Sequence, residues 1–255
     1  AALMVFGLAS CGGGSGKVSD KDITVISREE GSGTRDAFTE LTGVLQDDVD
    51  KTVDTAEISN STSVVTQSVA GNDAAIGYIS LGSLDDTVKA VKVDGVEATV
   101  DNIKSGDYKI QRPFNIVTKG EVKELPADFI KFIMSKDGQK IIEDEGYISV
   151  NDNAEAYKAS GLKGSITLAG STSVSPVMEV LADKYKELNS GVTIEIQQTG
   201  SGAGIQSTTE GVCDIGMASR ELKDEETSQG LKSEEIALDG IAVIVNKDNG
   251  VEDLS

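Results

Sequence analysis

The sequence predicts an α/β protein in which largely parallel strands alternate with helices. Three observations predict this class. Short apolar runs typical of strands alternate with amphipathic helical patterns almost throughout the chain. One group of residue types recurs at equal offsets in two parts of the chain. Turns rich in Ser, Thr and Gly follow three of the predicted strands. A chain of 255 residues is long enough for two domains of ordinary size.

The individual elements follow from the hydrophobic period. Short apolar runs predict strands at 22–26, 75–79, 88–93, 114–118, 165–168, 192–197, 214–217 and 241–246. Helical spacing predicts helices at 34–41, 62–70, 128–134, 138–144 and 175–188. The last helix is the clearest, and Pro176 suits its first turn. Its predicted shared face comprises Val177, Val180, Leu181, Lys184, Tyr185 and Leu188.

The recurring letters predict two lobes of similar construction. Gln-Ser, Ile-Gly and Ser follow one another at the same offsets in 67–80 and 206–219. Chance can produce so few letters, but a repeated helix, glycine turn and strand explains the equal offsets better. The predicted organisation is a tail at 1–21, a first lobe at 22–111, a second lobe at 112–246, and the start of a crossover back to the first lobe at 247–255, where the chain is expected to be incomplete.

Composition excludes several function classes. The formal net charge is −20, which disfavours nucleic-acid binding because phosphate backbones require Lys and Arg patches. The chain has no histidine, the commonest general base and metal ligand, and its cysteines lack metal-site spacing. We therefore expect no metal and no cofactor. Such acidity favours a soluble protein outside the cell, and it still permits a local anion site, since charges are screened beyond roughly 8 Å.

The N-terminus resembles the end of a secretory signal peptide. An apolar stretch at 1–9 leads into Leu-Ala-Ser-Cys and then a Gly/Ser tether. This pattern is typical of a bacterial lipobox, with Cys11 as the lipidated residue that anchors the protein to the extracellular face of the membrane. The alternative is an apolar N-terminus with a chance cysteine. Cys213 is then without a disulfide partner and is expected to be a small buried residue.

Three strand-to-helix turns carry the chemistry. They read ISREEGSGTR at 26–35, AGSTSV at 169–174 and TGSGAG at 199–204. A helix N-terminus has unpaired N–H groups and a partial positive charge, glycine permits close approach, and hydroxyls add neutral donors. Arg28 adds a guanidinium that matches a tetrahedral oxyanion. Each turn alone is explained by capping, but three together favour one shared anion, held reversibly.

These segments resemble the phosphate-binding lipoproteins of bacterial phosphate ABC transporters, as found in Gram-positive bacteria. The likeness rests on AGSTSVSPVMEVLADKY, QQTGSGAGIQ, CDIGMASRELKDEE, ALDGIAVIVNKDN and ISREEGSGTRDAF. It implies a two-lobed periplasmic-binding-protein fold of type II, joined by crossover strands and closing on inorganic phosphate in the cleft. It also implies a monomer that delivers phosphate to an ABC permease and its ATPase. Since GSGTR precedes AGSTS here, the likeness implies a circularly permuted order.

The resemblance implies a set of ligand donors, carried over motif by motif. They are Thr172 and Ser173, Ser201, and Arg28, Ser32, Gly33 and Thr34. Many relatives also place an Asp after the serine that corresponds to Ser219, and it accepts a hydrogen bond from protonated phosphate, which helps to reject sulfate. Here that position is Arg220.

Several alternatives remain open at this stage. The proton acceptor is Glu29, Glu30 or Glu221, or discrimination against sulfate is weaker. Arg220 either contributes to the site with Ser219 and Glu30 or pairs with a nearby acid. Beyond phosphate transport, the chain fits a receptor for another tetrahedral oxyanion, or a phosphate-sensing or adhesive surface lipoprotein. A phosphatase is not expected, because no histidine, metal cluster or evident base accompanies the serines.

Overall fold

The computed structural model describes residues 22–255. The predicted tail and the lipidation site Cys11 lie outside the described residues. The strands are β1 (Thr24–Arg28), β2 (Leu45–Gln46), β3 (Val49–Asp50), β4 (Glu57–Ser59), β5 (Ala75–Ser80), β6 (Val88–Ala90), β7 (Lys92–Val93), β8 (Gln111–Lys119), β9 (Ile148–Ser149), β10 (Gly164–Gly170), β11 (Val192–Gln198), β12 (Ile215–Ala218), β13 (Leu231–Asn246) and β14 (Asp253–Leu254). The helices are α1 (Gly33–Leu41), α2 (Thr62–Ala70), α3 (Val100–Lys104), α4 (Glu124–Ile133), α5 (Lys136–Asp144), α6 (Ser175–Leu188), α7 (Ser201–Glu210) and α8 (Asp224–Ser228).

The sheet consists of two similar parts. Its strand order is β11-β10-β12-β8-β13-β5-β1-β4, with β6 and β9 also paired to β13. In the first lobe β1 lies between β4 and β5, and in the second lobe β10 lies between β11 and β12, all in parallel. The first, second and third parallel strands of each lobe therefore have the same spatial order. The fold is the two-lobed α/β architecture that the sequence predicts.

Two antiparallel strands join the lobes. β8 pairs with β12 on one side and with β13 on the other. β13 is longer than the predicted strand at 241–246: its first part pairs with β8, and Ile241 to Asn246 pair with β5 and β6 of the first lobe. The lobe boundaries stay a prediction, but β13 itself spans both lobes. The prediction missed its first part because residues 232–235 are polar and exposed.

Capping explains where several helices begin. The hydroxyl of Ser32 accepts from the Arg35 N–H at the start of α1, and Ser61 and Ser135 cap α2 and α5 in the same way. The predicted helices at 128–134 and 138–144 begin slightly earlier, at Glu124 and Lys136. Within residues 22–255, no helix has both the length and the apolar character that a membrane span requires.

The predicted face of α6 is partly wrong. Leu181 and Tyr185 are fully buried in the second-lobe core, whereas Val180 and Leu188 remain 37% and 41% exposed. Met178 is buried in their place. The helix packs on β11 and on α4 and α5. These neighbours cover a face of α6 that is rotated relative to the face predicted from its apolar residues.

Candidate functional site

The three Ser/Thr/Gly-rich turns meet between the lobes. Each turn follows the carboxyl end of a parallel strand, namely β1, β10 and β11, which is where ligands bind in open α/β sheets. Thr34 Oγ1 lies 2.9 Å from Ser173 Oγ, and the Arg28 guanidinium donates to Thr172 Oγ1 at 3.1 Å. The turns thus present hydroxyls and a guanidinium from both lobes at one place.

Arg28 is buried and its charge is largely neutralised. Only 2% of the residue is exposed, at the end of β1. Its Nε and Nη2 each donate to one carboxylate oxygen of Glu29 at 2.8 Å, and Nε also reaches the Ser59 carbonyl at 3.3 Å. Because the pair is locally neutral, an anion here would meet directed N–H dipoles rather than an excess of positive charge.

The start of α1 comes very close to the second lobe. A Cβ on Gly33 would lie 2.5 Å from Ser201 Oγ and 2.7 Å from Ser219 Oγ, so only glycine fits this packing. The Gly202 N–H donates to the Gly31 carbonyl at 2.9 Å across the same contact. Ser32 uses its hydroxyl as the cap of α1, which leaves its role as a ligand donor a prediction.

The second lobe contributes a connected set of buried hydroxyls. Ser173 and Ser201 are 0% and 1% exposed. Ser171 Oγ donates to Ser219 Oγ at 3.0 Å, and the Ser219 N–H donates to Ser201 Oγ at 3.1 Å. Ser219 therefore links the AGSTS turn to the start of α7. This linkage places it beside the predicted donors.

The structure pairs Arg220 with acids. Its guanidinium forms two 2.8 Å hydrogen bonds with Glu226 and lies 3.0 Å from an Asp36 carboxylate oxygen of α1. Burial lowers the pKa of Arg220, but the bond to Glu226 and the charges of both acids outweigh burial and raise it. Glu30, also predicted as accessory, is exposed. Of the predicted proton acceptors, Glu29 is held by Arg28, whereas Glu221 is exposed and accepts from Asn115 at 3.4 Å.

Sequence reasoning missed Thr62. This residue opens α2 just after β4, as Ser201 opens α7 just after β11. Its Oγ1 lies 3.1 Å from Ser173 Oγ and 3.4 Å from Thr172 Oγ1. The recurring letters in 67–80 and 206–219 already relate α2 to α7, so extending the repeat back to the helix starts would have found it.

A buried ion pair lies where the two crossover strands meet. Arg112 of β8 and Asp239 of β13 are both 1% exposed at the side chain and 3.1 Å apart. Ser80 Oγ donates to Asp239 at 2.9 Å, while Arg112 Nη1 donates to the Ser219 carbonyl at 3.3 Å. Burial raises the pKa of Asp239 to about 6, although Arg112 and Ser80 oppose the shift. The pair thus ties the third strands of both lobes to the two crossover strands.

The described residues hold no group of three or more His, Cys, Asp or Glu side chains arranged to bind a metal ion. Cys213 is buried, and burial raises the pKa of its thiol.

A cavity of about 700 Å³ opens beside the hydroxyl cluster, and both Thr62 and Thr172 line it. What the site offers chemically is therefore a set of neutral donors and one compensated guanidinium.

The chain resembles known proteins over most of its length. Residues 15–137 and 155–255 match a family described as the PBP superfamily domain. "Phosphate-binding protein PstS 2" of Streptococcus agalactiae serotype V is 53% identical over 254 residues, which cover 97% of this chain and 86% of that protein. The protein of the same name from Streptococcus pneumoniae serotype 4 is 49% identical over 257 residues, with 98% and 88% covered.

A solved structure supports the same relationship. The crystal structure of a phosphate ABC transporter phosphate-binding protein from Streptococcus pneumoniae TIGR4 is 50% identical, with a TM-score of 0.73 over 92% of this chain and 93% of that one. Family match, sequence identity and structural likeness agree. The chain therefore belongs to the PBP superfamily and, within it, to the family of the phosphate-binding proteins PstS.

Proposed function

We propose that this protein binds inorganic phosphate between its lobes and delivers it to the permease of an ABC transporter. One observation carries the proposal: buried donors from both lobes meet at one place, with Arg28 against Thr172 and Thr34 against Ser173. The names of the streptococcal relatives support phosphate as the anion. The ligand donors are Arg28, Ser32, Gly33, Thr34, Thr172, Ser173 and Ser201.

Lobe closure about the crossover strands is the proposed mechanism. Each lobe supplies part of the donor set, so phosphate makes its full set of contacts only when the lobes are together. A ligand with such differential contacts stabilises the closed state. β8 and β13 carry the hinge, and the Arg112–Asp239 pair fixes their relative position. In this scheme the neutral hydroxyls replace the water shell of the ion, and Arg28 orients it.

The protein acts as a monomer on the extracellular face of a bacterial membrane, held by a lipid on Cys11. Its lobes comprise 22–111 and 112–246. Its partners are the permease and ATPase of the transporter. Mass spectrometry of the membrane-extracted protein tests the anchor, because Cys11→Ser removes the lipid mass and releases the protein from the membrane.

Isothermal titration calorimetry with phosphate tests the proposal. We expect sub-millimolar binding by the purified protein and no detectable binding by the Arg28→Ala/Thr172→Val double variant. Thr39→Val is the matched control, because the Thr39 hydroxyl is buried but donates to its own helix at Arg35 O. Absence of heat with phosphate contradicts the proposal, whereas heat with sulfate or molybdate alone reassigns the anion.

One observation favours a receptor for another tetrahedral oxyanion. Two carboxylates beside the turns, Glu29 and Asp36, are both held by arginines, whereas protonated phosphate requires an acceptor. Competition between sulfate and phosphate in the calorimeter decides between the two anions.

We also propose that the protein is not an enzyme, and a chromogenic phosphate ester should show no turnover. Phosphate uptake that persists in cells lacking the protein would favour a sensing or adhesive role.

A further inference from the structure

The two lobes place equivalent helices around the site. In the second lobe the N-termini of α6 and α7 face the cleft after β10 and β11, and in the first lobe α1 and α2 follow β1 and β4 in the same order. Ser201 opens α7, and Thr62 opens α2. The predicted donor set uses three of these four helix starts. The fold itself makes the start of α2 the fourth.

The Thr62 hydroxyl is not needed to begin its helix. Ser61 is the N-cap of α2, and its hydroxyl accepts from the Val64 N–H at 3.3 Å. Thr62 is only 5% exposed, yet its Oγ1 makes its contacts towards the cleft, to Ser173 at 3.1 Å and to Thr172 at 3.4 Å. Burial of a hydroxyl that serves no cap points to a role between the lobes.

Thr62 also touches the cation of the site. Arg28 Nη1 donates to Thr62 Oγ1 at 3.5 Å, while Nη2 of the same guanidinium donates to Thr172. Both hydroxyls accept from Arg28, so each keeps its own hydrogen for donation, either to a neighbouring hydroxyl as here or to a bound anion. Thr62 and Thr172 also line the same cavity of about 700 Å³. They therefore stand at the boundary between the hydroxyl cluster and the open cleft.

We propose that Thr62 is a further anion-binding residue, whose hydroxyl donates to a tetrahedral oxyanion held by Arg28, Thr172 and Ser173. The inference rests on the proposed function and extends its donor set to the start of α2. Each lobe then contributes the beginnings of two helices. Because Thr62 borders the cavity, its hydroxyl contacts the bound anion on the side that faces the open cleft.

Phosphate titrations of four single variants test this assignment. Thr62→Val keeps the shape but removes the hydroxyl, and we expect the Kd to rise roughly 10- to 150-fold, the range for a lost hydrogen bond to a charged group. Thr62→Ser should stay within about threefold of wild type because it keeps the donor. Thr62→Asp should abolish binding while α2 remains folded, since an acid suits the first helical turn but repels the anion. Thr66→Val is the control, because Thr66 donates to the Thr62 carbonyl within the helix and lines the same cavity.

The outcomes separate this inference from the function on which it rests. No heat from wild-type protein overturns the proposed function and this inference with it. Wild-type binding with an unchanged Kd in Thr62→Val, or an equal loss in Thr66→Val, overturns the inference alone. Thermal melting verifies folding of each variant. Should Thr62→Val unfold, Thr62→Asp decides whether position 62 lies against the bound anion: loss of binding by a folded protein supports that placement, and wild-type affinity refutes the assignment.

Discussion

Replacing Gly33 by alanine should weaken phosphate binding without weakening the fold. The new methyl group would lie 2.5 Å from Ser201 Oγ and 2.7 Å from Ser219 Oγ. Ser219 cannot easily turn away, since its hydroxyl accepts from Ser171 and its N–H donates to Ser201. Ordinary van der Waals contact therefore requires the lobes to separate here by about 1 Å.

That separation has a calculable effect on affinity. The Thr34–Ser173 hydroxyl pair is now 2.9 Å apart, and a further 1 Å or so takes it beyond hydrogen-bond range. The same separation takes one of these two proposed donors out of reach of the anion, and a lost donor to a charged ligand costs about 1.5–3 kcal/mol, so the Kd should rise roughly 10- to 150-fold. Stability should stay level or rise slightly, because alanine is a better helix residue than glycine by about 0.5–1 kcal/mol.

Calorimetry with phosphate and thermal melting together test this reasoning. Gly202→Ala is the matched control: it sits in the first turn of α7 on the opposing lobe, and its Cβ would lie 3.3 Å from the Gly31 carbonyl oxygen. A shift of a few tenths of an ångström relieves that contact, so we expect a much smaller loss of affinity. Wild-type affinity in Gly33→Ala would refute the idea that this glycine permits lobe closure.

Three further predictions concern the ion pairs. Asp36→Asn removes one partner of Arg220 across the lobes, and because Asp36 is partly exposed we expect only about two- to fivefold weaker phosphate binding and an unchanged melting temperature. Burial raises the pKa of Glu226, but the hydrogen bond to Arg220 outweighs burial and lowers that pKa overall. The Glu226 carboxylate therefore stabilises the fold above its ordinary pKa of 4.5, and this stabilisation is lost as the pH falls. In urea titrations, Glu226→Gln should flatten that acid loss. Burial raises the pKa of Asp239 to about 6 against the effect of Arg112, so this carboxyl stabilises the fold less as the pH rises from 3.8 to about 6. Asp239→Asn should remove the slope, and equal slopes in variant and wild type would contradict either pH prediction.

Local sequence signals predicted the elements better than their contacts. The limits of the helix at 62–70 are correct because Ser61 caps it, and the start at Ser175 is correct because Pro176 favours a first turn. The buried face of that last helix was misjudged, since Val180 is apolar but stays 37% exposed. Which face of a helix is buried depends on the neighbours that cover it, and a one-dimensional pattern does not contain them.

The sequence by itself determined the chemistry available to this protein. Its glycine and hydroxyl turns supply neutral hydrogen-bond donors at helix starts, and Arg28 adds one guanidinium, because these properties are local to a few consecutive residues. Only the tertiary structure decided which side chains pair with one another. Arg28 binds Glu29 and not Glu30, Arg220 pairs with Asp36 of the other lobe, and the Thr62 hydroxyl contacts the hydroxyl cluster. The contact from Thr62 to Ser173 spans 111 positions, and such pairs are set by how β8 and β13 hold the two lobes against each other.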